Sequence, residues 1–107
     1  MYETIHKETV AGFDIVFSVA QEDTMPEGWC DDDDVMQDTI KRIENGSLEW
    51  FRARVQAFKN GIELGTDYLG GCCYPSYMDF VSSSDYYGDM VENVVSEARD
   101  NIAKLCK

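Results

Sequence analysis

Four consecutive aspartates, Asp31, Asp32, Asp33 and Asp34, form the densest run of potential metal ligands or acid–base groups in the chain. A calcium loop of the EF-hand kind spaces its ligands at alternate positions around a central glycine and ends on a glutamate. Consecutive aspartates cannot all point at one ion, so this run reads as a helix cap or a solvated acidic face. Cys72 and Cys73 are adjacent, Cys30 and Cys106 lie well apart from them, and no C-x-x-C spacing occurs. The only histidine, His6, is distant in sequence from every cysteine, so neither a zinc set nor a Cys–His nucleophile is spelled out. Small buried thiols in a reduced chain are the default expectation. Gly70-Gly71 lacks the following lysine and the spacing of a phosphate-binding loop. With 21 carboxylates in the chain, some will be close to one another by chance, and no pair stands out for acid–base work. No catalytic residue, metal ligand or cofactor is assigned, and the expectation is that the chain is not an enzyme.

What remains is chemistry of contact. The 107 residues carry 21 acidic against 9 basic side chains, a formal charge of −12. Direct binding to nucleic acid or to an anionic membrane needs cations to neutralise phosphate, so both are disfavoured as partners. A protein with a basic surface is favoured. Acidic residues cluster around aromatic ones in two stretches. The first holds Glu22, Asp23, Glu27, Trp29 and Asp31 to Asp34; the second holds Asp79, Asp85, Tyr86, Asp89 and Glu92. Carboxylates steer a basic partner and aromatic groups anchor an interface, so these are the candidate partner-binding residues. Phe13, Phe17, Phe51 and Tyr68 are expected in the core instead. A second candidate surface is the strand face Trp50, Arg52, Arg54, Gln56 and Phe58, which could meet a partner or a second copy of the chain.

The elements that must position these residues follow from periodicity. Residues 2–10 contain Thr4, Ile5, Thr9 and Val10 and suit a strand; Ala11-Gly12 breaks it. Phe13, Ile15, Phe17 and Val19 then alternate with their neighbours as a second strand with one face on a core. After the acidic run, Val35, Met36, Thr39, Ile40 and Ile43 recur at helical spacing until Asn45-Gly46. Leu48 to Phe58 alternates again, and Asn60-Gly61 predicts a tight hairpin back through Ile62, Leu64, Thr66 and Tyr68. Residues 70–75 read as a loop, and 76–81 as one helical turn or a short helix that Ser82-Ser83-Ser84 breaks. A helix of about five turns follows from Asp85, on the spacing of Tyr87, Val91, Val94, Val95, Ala98, Ile102 and Leu105. The expected fold is a single α+β domain over residues 1–107: an antiparallel sheet of about four strands in the order β-β-α-β-β-α, with helices packed on one face.

In size, charge and Asp-rich segments the chain resembles the small counter-defence proteins of phages and mobile elements, of the anti-CRISPR or anti-restriction type. The resemblance implies a cytoplasmic inhibitor, in the host cell if phage-encoded, that blocks a nuclease or CRISPR complex by occupying its basic nucleic-acid-binding surface, as a monomer or homodimer. An immunity protein or antitoxin masking a cognate toxin is the alternative among binders. A small enzyme using Cys72-Cys73 is the alternative from another class. No segment has the length and apolarity of a membrane span, and no signal-peptide pattern opens the sequence.

Overall fold

Two dipeptides set the frame. Ala11 and Gly12 have φ of 54° and 84°, and Asn60 and Gly61 of 54° and 78°. Positive φ at both central residues gives a two-residue turn whose twist matches that of the strands it joins. The first turn links β1 (Glu3–Val10) to β2 (Phe13–Gln21), and the second links β3 (Glu49–Lys59) to β4 (Ile62–Tyr74). Between the hairpins lies α1 (Asp33–Glu44); after them come α2 (Tyr77–Ser83) and α3 (Asp85–Leu105). The computed structural model describes residues 2–22, 33–83 and 85–105, with 33–36 described by backbone alone. The strands form one antiparallel sheet in the order β1-β2-β3-β4. This is the α+β architecture expected from the sequence, and the turn or short helix expected at 76–81 is the helix α2.

Strand alternation divides the sheet into two unlike faces. Phe13, Ile15, Phe17 and Val19 of β2 and Phe51, Ala53, Val55 and Ala57 of β3 are all buried on one face. There they meet Phe80 of α2 and Tyr87, Met90, Val91, Val94, Val95 and Ala98 of α3. The Phe80 ring stacks on Phe17 at 5.4 Å between centroids and stands edge-on to Tyr74 at 5.3 Å. Aromatic pairs at such separations add to the burial of their surface. The buried positions on α3 recur every three or four residues, so one side of this 21-residue helix lies on the sheet and the other faces solvent.

Gly65 fixes how closely α3 approaches. A Cβ at this position would lie 2.4 Å from the carbonyl oxygen of Val94, so only glycine lets the helix backbone touch β4 there. Side chains tie the same two elements on either side. Asn101 donates to the Leu64 carbonyl at 2.6 Å, and Asn93 to the Asp67 carboxylate at 3.2 Å.

Three expectations are corrected. Residues 70–74 are not a loop but the last part of β4. The pair Gly70-Gly71 is taken up as an irregularity opposite Arg52, with Gly71 at φ 69°, and pairing resumes at Cys72 opposite Phe51. Tyr68 is not a core residue: it pairs with Arg54 across the strands, on the face away from the helices, and is 60% exposed. Leu105, assigned to the apolar stripe of the last helix, is 76% exposed at its final turn. Among the described residues no helix is long and apolar enough to cross a membrane.

Candidate protein-interaction site

The solvent side of α3 is built from acids. Asp85, Asp89 and Glu92 stand at i, i+4 and i+7 and are exposed, so they form one row along the helix. At a rise of ~1.5 Å per residue the row extends over roughly 10 Å. Glu97 and Asp100 are exposed farther along, and the first basic residue of the helix is Arg99. Asp85 complements the positive end of the helix dipole. The pairs Asp85/Asp89 and Asp89/Glu92 do the reverse, since like charges at such spacings cost a few tenths of a kcal/mol each, roughly 0.2–0.5. This row is an arrangement that helix stability alone would not select.

The other members of the second acidic stretch are placed differently. Asp79 is bound into the cap of α2: Ser76 is the N-cap, its Oγ accepting the Asp79 N–H at 3.2 Å and its hydroxyl donating back to the Asp79 carboxylate at 3.1 Å. Tyr86 is 57% exposed and turned toward the edge of β4. There it lines a cavity of about 290 Å³ with residues 69–74.

Of the first acidic stretch, Asp23, Glu27, Trp29, Asp31 and Asp32 lie outside the described residues, and Asp33 and Asp34 are described only as the first backbone positions of α1. Glu22 is occupied elsewhere. Its carboxylate is 3.1 Å from Arg52 Nε and accepts the Gly71 N–H at 3.0 Å, which pins the end of β2 to the irregularity in β4. Glu22 therefore belongs to the sheet face opposite α2 and α3. The structure joins Asp85, Asp89 and Glu92 into one row and does not join Glu22 to it.

Sequence reasoning passed over Asp100, which helical spacing alone would have added to the acidic side. It also passed over a polar cluster at the edge strand. An irregularity between Thr4 and His6 turns His6 and Glu8 toward the helix-covered face, opposite Phe17 and Ile15. The Tyr87 hydroxyl donates to Glu8 at 2.6 Å, and His6 Nε2 lies 3.1 Å from the same carboxylate. Burial and the adjacent Glu8 carboxylate push the Tyr87 phenol well above its ordinary range, so it stays a donor.

The thiols of β4 are poised against nucleophilic use. Burial pushes Cys72 up to about 11, and its Sγ lies 3.5 Å from the Leu69 carbonyl oxygen. Burial raises Cys73 as well, only partly offset by the nearby Arg42. A reactive cysteine needs the opposite, a stabilised thiolate. Among the described residues no group of three or more His, Cys, Asp or Glu side chains is placed to hold a metal ion.

Compared with known protein families, curated proteins and solved structures, the chain matches none. The residues themselves must therefore carry the functional argument.

Proposed function

We propose that this protein is an inhibitor that binds a basic, nucleic-acid-binding surface of a nuclease or CRISPR complex and keeps nucleic acid out. The observation that carries this reading is the exposed row Asp85, Asp89 and Glu92 on α3, continued by Asp100, with Glu97 exposed to one side of it. A rigid helix seated on a packed core holds these carboxylates at fixed spacing. Such a row suits a surface of Lys and Arg built to hold a line of phosphates. An immunity protein or antitoxin would use the same row against one cognate toxin, and the two readings differ only in the partner. An enzyme using Cys72-Cys73 draws no support from thiols whose burial favours the protonated form.

The test is competition. Purified protein is titrated into nuclease and CRISPR complexes carrying labelled DNA, with the triple variant Asp85→Asn, Asp89→Asn, Glu92→Gln alongside. The expected result is displacement of DNA near physiological salt, weakened at about 0.5 M where exposed charges are screened, and lost in the folded triple variant. Displacement by the triple variant equal to that of the parent protein would overturn the reading. So would a protein that displaces DNA from none of these complexes.

A further inference from the structure

The sheet face away from α2 and α3 is not an ordinary solvated face. Trp50, Arg52, Arg54, Gln56 and Phe58 of β3 lie along it, with Tyr68 of β4 opposite Arg54. The Arg54 guanidinium sits 4.2 Å from the centre of the Tyr2 ring, and Tyr2 lies 6.2 Å from Tyr68. Arg54 Nε is shielded from solvent and has no hydrogen-bond acceptor among the described residues. Among the described strand residues of this face the charges balance: Lys7, Arg52 and Arg54 are matched by Asp14, Glu22 and Glu63. Glu63 is held as the carboxylate by hydrogen bonds from Thr66 and Gln56, with Arg54 nearby.

We propose that this face is the interface of a homodimer, with two copies packed sheet against sheet. Each copy carries −12, and the helix-covered side is strongly acidic, so copies approaching through α3 repel. The open face is charge-balanced, so two copies can meet on it without juxtaposing unmatched charge. Packed sheets lie ~10 Å apart, and each α3 then projects outward behind its own sheet. The exposed aromatic ring of Tyr68 and the Trp50 and Phe58 side chains supply the large apolar groups that interfaces favour. The area suffices. Four strands ~4.8 Å apart and an eleven-residue β3 rising ~3.3 Å per residue cover about 700 Å². A standard interface buries roughly 800 Å² on each partner. Nucleic acid is the poorer occupant, because the face offers no net positive charge to release counterions.

The test is the solution mass of the full chain by sedimentation equilibrium, across concentration up to about 0.2 mM and at two salt concentrations. The expected mass is about twice 12.2 kDa, with association strengthened by salt as the repulsion between acidic copies is screened. Tyr68→Glu, at an exposed position, should raise the dissociation constant ~100-fold or more with unchanged far-ultraviolet circular dichroism. Tyr86→Glu, on α3, should leave it unchanged. Should Tyr68→Glu fail to fold, Lys7→Glu, which unbalances the same face from an exposed position, replaces it with the same expectation. A monomer throughout the concentration range overturns the proposal. A dimer indifferent to the folded substitution at Tyr68 or Lys7 overturns it too, and moves the contact to a strand edge or to the helices.

Discussion

One sheet separates two surfaces that solve different problems. On the helix-covered side, aromatic rings are consumed by the core: Phe17, Phe51, Phe80 and Tyr87 pack on one another, and the charge is displaced outward to the far side of α3. On the open side, the rings of Tyr2 and Tyr68 stay near the surface and the charges are interleaved with them. The same residue types therefore mean different things on the two sides. An aromatic ring under α3 is a stability element, whereas one on the open face is available to a second molecule. A carboxylate on α3 stands in a row of like charge, whereas Glu22 and Glu63 have cations close by. Local composition does not distinguish these cases; the side of the strand does.

The contrast can be broken most forcefully at Phe17. Phe17→Ala, under α3, should cost roughly 4 kcal/mol by urea unfolding, while Tyr68→Ala in dilute solution should cost no more than about 0.5 kcal/mol. Comparable losses would mean that the two faces are not different in kind. Gly65→Ala should follow, at about 3 kcal/mol, because its Cβ meets the rigid Val94 backbone rather than a movable side chain. Tyr87→Phe should cost about 1–2 kcal/mol, the loss of a bond to a carboxylate that remains in place.

Alkaline pH sharpens the comparison further. Cys72 has a folded pKa of about 11 against an ordinary 9.0. The folded state therefore holds the proton more tightly, and its contribution is complete below pH 9 and is lost between there and about 11. Urea midpoints should fall over that window, and less steeply in Cys72→Ala. The smallest effect on stability belongs to the acidic row. Neutralising Asp85, Asp89 and Glu92 together should change the unfolding free energy by no more than about 0.5 kcal/mol. A large loss of stability would assign those carboxylates to the fold rather than to a partner.

The fold was largely legible because its signals are local. Asn60-Gly61 announces a hairpin, Phe13 to Val19 alternates without interruption, and the long helix keeps its period for most of its length. Two of the failures share one physical cause, an irregularity in strand pairing, whereas Leu105 is exposed because it sits in the last turn of its helix. Gly70-Gly71 looks like loop chemistry but is accommodated opposite Arg52, so β4 runs on to Tyr74. The irregularity after Thr4 turns His6 and Glu8 inward, which no simple alternation along β1 reveals. Tyr68 was assigned inward on its chemistry alone, although its pairing with Arg54 sets it outward. The candidate site was legible where it depended on helical spacing, as with Asp85, Asp89 and Glu92. It was not legible where a carboxylate had a distant partner: Glu22 meets Gly71 across 49 positions.

The bond between Glu8 and Tyr87 bears on how the chain matures as it is made. The two residues are 79 positions apart. At ~5–20 residues per second, synthesis separates them by roughly 4–16 s. For that interval the first hairpin can close at Ala11-Gly12, yet the inward Glu8 carboxylate has only His6 of its own strand beside it. The fold is completed only when the last helix emerges and its phenol reaches back to the first strand, so a chain truncated before residue 87 should persist as an open, protease-sensitive intermediate.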